Sequence, residues 1–329
     1  MSLRLPSSRP VFDGFAAFHD RETGPYLAAR EAERRRAVSR FYAATAAGAV
    51  GAAALFIFGP FYSENLEFGL LAFGLGLMTG IFFLNRTRAE ITHGLLQRIA
   101  SKFGFTYAGK ADRPALYDQF RRLKLIPGHN REAFEDAVSG VYAGAPFSFC
   151  EAHLEMQTSG KHKSRRTVFH GQLFAVDYPK RFLGSTVVQR DMGVLNALTK
   201  PSKDYQRVGL ASPAFEKTFE AWSTDQVEAR EVLDPIVLER FEELERLFGG
   251  KKIRAAFDGG KLLIAVETGD RLTIGTMFKP IDGTACVETI LKEFDVIFDL
   301  IDVSLKRLDT RTAGAFSLAD VKANSAHHR

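Results

Sequence analysis

The side chains that come closest to chemistry are two histidines and two glutamates on one pair of alternating runs. In Ser148 to Gln157, Cys150, Ala152, Leu154 and Met156 alternate with Glu151, His153, Glu155 and Gln157, the pattern of a half-buried antiparallel strand. Thr167 to Asp177 answers it with Phe169, Leu173 and Ala175 against His170 and Gln172. If the chain turns symmetrically about Lys161 and His162, His153 and His170 face each other, with Glu151 and Glu155 nearby. Imidazoles and carboxylates so placed could bind zinc or another divalent ion. A solvent-facing polar face uses the same letters, and a register slip of one residue removes the site.

The turn between these runs is basic: Lys161, Lys163, Arg165 and Arg166. Held near an anionic leaflet, each such charge contributes about 1 kcal/mol, so lipid contact is one reading. The other is a solvated tip, since basic residues favour exposed turns. Cys150 would need a base to act as a nucleophile, and His153 falls on the opposite face of its strand. There is no GxSxG elbow and no glycine loop for phosphate, and Asp258-Gly259-Gly260 reads as hairpin chemistry. The sequence carries no recognised catalytic signature and implies no cofactor. Trp222 and the 29 phenylalanines are read as core.

Strands and helices must position these groups. Further strands are expected near Thr186–Arg190 and Phe215–Ala221. Asp225 can cap a helix with Glu228 at the capping-box position, and Asp234-Pro235 starts another that stops at Gly249-Gly250. Lys252–Phe257 and Lys261–Glu267 flank the Asp258-Gly259-Gly260 turn as a hairpin, with Leu272–Phe278 as one more strand. An apolar stripe from Val287 through Phe294, Ile301 and Leu305 to Leu308 predicts a long helix covering the sheet. The fold class is α+β, with a mainly antiparallel sheet beginning near Ala133, after the Pro127-Gly128 turn.

Ahead of this domain lie two uncharged runs, Phe41–Gly59 and Phe68–Leu84. About twenty apolar residues cross a hydrocarbon core roughly 30 Å thick, so the pair predicts a transmembrane hairpin closed by Ser63–Glu67. Both runs carry small residues four apart, Ala44, Gly48 and Ala52 on the first and Ala72, Gly76 and Gly80 on the second. These faces could pack within the hairpin or between copies. Arg30, Arg34, Arg35, Arg36 and Arg40 precede the first run, Arg86 and Arg88 follow the second, and Glu64 and Glu67 lie between. The positive-inside rule then puts both termini on the cytoplasmic side of the membrane. On this reading the arginines from Arg30 to Arg40 do no more than set topology. Neither run carries an ionisable residue, which disfavours a transporter pathway.

Composition sets the remaining bounds. A net charge of +5 over 329 residues, concentrated near the N-terminus, does not suggest nucleic acid as a partner. Cys150 and Cys286 are the two cysteines, far apart and outside any zinc spacing, which fits a reducing compartment.

Three stretches, FHGQLFAVDYPKRFLGSTVV (Phe169–Val188), FEKTFEAWSTDQVEAREVLDP (Phe215–Pro235) and IRAAFDGGKLLIAV (Ile253–Val266), resemble an uncharacterised bacterial membrane-anchored family, domain of unknown function 3137. The resemblance covers most of the soluble part. It implies fold kinship and a pair of membrane helices before the domain, and it implies no activity, because none is established for the family.

The chain is therefore expected to divide into a basic cytoplasmic segment (1–40), a transmembrane hairpin (41–84), an amphipathic helix and linker (85–131), a cytoplasmic α+β domain (132–309) and a disordered tail (310–329). The expected role is a cytoplasmic-face interaction module for a protein partner or anionic lipid headgroups. The alternative is an enzyme of unrecognised type acting on a membrane-associated substrate, possibly metal-dependent.

Overall fold

The computed structural model describes residues 3–59, 64–158, 164–178, 180–190, 202–210, 212–247 and 253–302. The chain divides into two compact units, Met1–Phe103 with Leu272–Glu293, and Gly104–Arg271 with Phe294–Arg329.

The first unit is built on two long antiparallel helices, α1 (Gly24–Phe58) and α2 (Asn65–Lys102). Each is far longer than the apolar run it contains, so the arginine-rich segment before Phe41 and the amphipathic segment after Leu84 are unbroken extensions of the same helices. Pro25 sits in the first turn of α1, where its missing N–H costs nothing. Leu27, Glu31, Arg34 and Ala37 form the buried stripe of its first half. Ile91, Leu95, Leu96 and Ile99 form that of α2, at the spacing of one helix face.

The small-residue faces pack against each other within this one chain. A Cβ on Gly48 would lie 3.0 Å from the Cα of Gly76, and one on Gly76 would lie 2.6 Å from the Ala44 carbonyl oxygen. Farther along, Gly80 meets Phe41 and Gly69 meets Ala52. Beyond the apolar run the pairing continues, with the Tyr26 hydroxyl donating to the Ile91 carbonyl at 3.1 Å. Tyr26 also fills the space above Gly94, and the Arg98 guanidinium lies 4.0 Å from its ring.

The segment 272–293 joins this unit from far along the chain. The Arg34 guanidinium donates to the Met277 carbonyl at 2.6 Å, and the Ile281 N–H donates to the Glu31 carboxylate at 3.2 Å. Leu272–Phe278 is thus not the strand its alternation predicts. Gly275, at φ 82°, turns the backbone, and Leu272, Ile274 and Met277 are buried in a segment that is not a strand. The arginines before Phe41 also do more than the sequence suggests, because Arg34 is itself buried.

In the second unit the described strands form one nine-stranded sheet in the order β1-β2-β3-β4-β9-β8-β5-β7-β6. The strands are β1 (Thr106–Lys110), β2 (Arg131–Tyr142), β3 (Ala145–Gln157), β4 (Arg165–Asp177), β5 (Ser185–Arg190), β6 (Gln206–Arg207), β7 (Phe219–Ser223), β8 (Ile253–Asp258) and β9 (Lys261–Val266). Every pairing is antiparallel. Asp258 opposes Lys261 across Gly259 and Gly260, both at positive φ, as a two-residue type I′ hairpin demands. The same device closes β2–β3 at Ala143-Gly144.

Helix α3 (Tyr117–Arg122) brings Tyr117 and Phe120 into a core with Phe134, Cys150, Ala152, Leu154, Phe169 and Leu173. On the other face Phe149 stacks on Phe174 at 5.1 Å. Nearby, Phe298, in the helix over 285–302, stacks on Tyr142 at 4.4 Å. Phe215 lies in α4 (Pro213–Thr218), not in a strand, because Ser212 caps Phe215 N–H and Pro213 starts the helix.

Asp225 caps α5 (Gln226–Val232) and Asp234 caps α6 (Pro235–Leu247). Glu228 does not close the expected capping box. Its carboxylate accepts from the backbone N–H groups of Leu183 and Gly184, at 3.1 and 2.8 Å, and so ties the approach to β5 onto α5. The stop at Gly249-Gly250 and the tail from residue 310 lie outside the described residues.

Candidate functional site

The register of β3 on β4 pairs His153 directly with His170. Their rings stack with centroids 4.7 Å apart and planes 25° apart. Each imidazole is oriented by a different neighbour. Nε2 of His153 is 2.9 Å from the Thr167 hydroxyl, and Nε2 of His170 is 2.5 Å from Asp270 Oδ1. Asp270 reaches this position because the chain leaving β9 crosses close to Gly171. A Cβ there would collide with the Val266 carbonyl, so only glycine fits, and Gly269 N–H then donates to the His170 carbonyl at 3.1 Å.

The two glutamates flank the histidines but are committed elsewhere. Glu151 is buried, not solvent-facing, and Oε1 accepts from the Arg271 N–H at 2.9 Å. Glu155 accepts from Arg165 Nε at 2.6 Å and lies 3.9 Å from His153 Nε2. The Arg165 hydrogen bond holds its carboxyl below the usual range. Arg166 stands opposite Met156, while Lys161 and Lys163 lie outside the described residues. Among the described residues no group of three or more His, Cys, Asp or Glu side chains is gathered as a metal cage. Cys150 is buried, and burial pushes its thiol up to about 12.

One part of this polar row has no counterpart in the sequence reading. The register of β2 on β3 slips between Glu135 and Val138, and Asp136 occupies this bulge at φ 50°, a conformation Asp tolerates better than most residues. The Tyr107 hydroxyl donates to its Oδ1 at 2.5 Å. Burial, followed by the charges of Glu135 and Asp270, raises the Asp136 carboxyl to about 6. Burial and the Asp136 charge raise the Tyr107 phenol. An acid in the middle of a strand-like run was the available signal for this bulge. The arrangement can hold a proton between Tyr107 and Asp136, and it sets two imidazoles side by side at the surface.

No curated protein matches the chain. The crystal structure of the mycobacterial trehalose monomycolate transport factor A, TtfA, is similar at 11% identity, over 62% of this chain and 93% of that one, with a TM-score of 0.33. A score that low supports no argument about fold or function. The family model of DUF3137, protein of unknown function, matches residues 167–306. That span takes in His170 and Asp270 but begins after Glu151, His153 and Glu155. The chain therefore carries a domain of unknown function 3137.

Proposed function

We propose that this protein is a membrane-anchored interaction module in which α1 and α2 cross a bacterial inner membrane as a hairpin and the sheet unit serves as the cytoplasmic binding part. The observation that carries the reading is the surface of the two helices. Val50, Phe56, Ile57, Phe58, Leu70 and Met78 are all exposed, in segments long and apolar enough to span a bilayer. Exposed apolar surface on that scale is unfavourable in water and favourable in lipid. From Phe41 to Phe58 the helix rises about 26 Å at about 1.5 Å per residue, close to a hydrocarbon thickness of roughly 30 Å. Arginines flank the runs at one end and Glu64 and Glu67 occupy the other, which favours cytoplasmic termini.

The partner is a protein at the cytoplasmic face, with anionic lipid at the basic β3–β4 tip as an auxiliary contact. Crosslinking the full-length protein in native membranes, followed by purification in detergent, tests the reading. Recovery of one defined membrane partner supports it. Release of the protein by alkaline carbonate, or recovery of no partner, rejects it.

A second reading, a metal-dependent enzyme, is favoured by one observation: Asp270 orients the His170 imidazole as a carboxylate orients a metal-binding histidine. Metal analysis of the purified full-length protein decides. Stoichiometric zinc that is lost in His170→Ala supports this reading, and a metal-free protein with unchanged function in His170→Ala removes it.

A further inference from the structure

The segment 277–281 runs along α1, with Ile281 held at Glu31 and Met277 at Arg34. The next residue, Phe278, reaches farther, to Phe41 and Tyr42, with ring centroids 5.5 and 6.1 Å away. Those two residues open the apolar run of α1, and Gly80 of α2 packs on Phe41 at the same level. Met277 and Ile281 are buried, whereas Phe278 is 50% exposed beside Tyr42 at 60%, and Phe82, near the end of the apolar run of α2, is 59% exposed. Lys279 and Pro280 are exposed too, and the Arg40 guanidinium lies 5.6 Å from the Phe83 ring.

Exposed aromatic rings beside cationic side chains at the end of an apolar run are the composition of a membrane–water interface. We infer that the 277–280 turn is a third membrane contact, with Phe278 inserted among lipid at the headgroup–acyl boundary and Lys279 among the headgroups. The inference rests on α1 and α2 spanning the bilayer. It adds that the part of the chain matched by the family model, which includes this turn, touches lipid directly. Glu31 and Arg34 fix the turn at that depth through their bonds to Ile281 and Met277.

Site-directed spin labelling of the full-length protein in lipid nanodiscs tests it. Cys150 and Cys286 are buried, so a nitroxide reagent selects an introduced thiol. Labels at Phe278→Cys, Lys279→Cys and Phe82→Cys are compared for collision with oxygen, which partitions into lipid, and with a water-soluble nickel chelate. The expected result is oxygen favoured at 82 and 278, with 279 shallower than both. Oxygen favoured at 82 while 278 and 279 are as open to nickel as a fully aqueous site overturns the inference and leaves the spans intact. Nickel favoured at 82 as well overturns the spanning reading and the inference together. Lys279→Cys keeps Phe278 in place, so loss of that ring cannot explain its result.

Discussion

His153 and His170 stack at 4.7 Å across β3 and β4, while their Nε2 atoms bond to Thr167 and Asp270 in turn. A directly opposed pair on a partly exposed sheet face couples by about 0.2–1 kcal/mol. A double-mutant cycle on His153→Ala and His170→Ala, read by urea unfolding in detergent, should therefore give a coupling energy of about 0.5–1 kcal/mol. A coupling of zero would mean that the rings are neighbours without interacting.

Asp136 carries a cost at neutral pH. Its carboxyl is raised to about 6 from an ordinary 3.8, so between these values the folded chain holds a proton that the unfolded chain has lost. Its contribution is fully present below about pH 3.8 and is lost as pH rises through about 6, leaving a penalty of about 3 kcal/mol at pH 7. Asp136→Asn keeps an acceptor for Tyr107 and tolerates positive φ. It should be more stable than the parent at pH 7 by about 1–3 kcal/mol and should flatten the stability profile between pH 4 and 6. A variant less stable at pH 7 would show that the ionised carboxylate is held by a favourable partner.

Gly48 and Gly76 bring the α1 and α2 backbones together, and a side chain at either position has no room. Gly76→Val should push the helices apart, at a cost of about 1–3 kcal/mol, seen as a lower thermal midpoint in detergent with no change in oligomeric state. A change in oligomeric state with an unchanged midpoint would assign the small-residue face to contacts between copies.

The sequence carried most of the sheet's middle but little of what covers it. The His153–His170 register followed from the alternation in two runs, because a period of two fixes which residues can face each other. The β8–β9 hairpin followed from Asp258-Gly259-Gly260, because positive φ selects glycine. The burial of Glu151 did not follow: it depends on Arg271, 120 residues away, and no local pattern reports such a contact. The start of α1 at Gly24 was missed because an apolar run does not mark where a helix begins. The pairing of Arg34 with Met277 and of Glu31 with Ile281 was hidden for the same reason, since local charge counting sees only an arginine cluster.

Glu31 is the acid on which the 277–281 turn hangs. The Arg34 side chain donates to it through Nε and Nη2 at 2.8 and 2.7 Å, Arg35 adds a bond at 2.9 Å, and Ile281 N–H completes the set. The Arg34 bonds outweigh burial and hold the carboxyl at about 2, below its ordinary 4.5. The linked stability is present above about pH 4.5 and is lost as pH falls through about 2. Removing the charge at neutral pH leaves Arg34 buried beside a neutral group, a loss of about 3 kcal/mol or more. In Glu31→Gln, exchange of the Ile281 amide hydrogen should quicken by roughly 100-fold at pH 7, at about 1.4 kcal/mol per factor of ten. Arg35 is largely exposed, so Arg35→Ala should change that rate by less than about fivefold. Equal protection of Ile281 in Glu31→Gln and the parent would show that the turn is held by Met277 and its apolar neighbours alone.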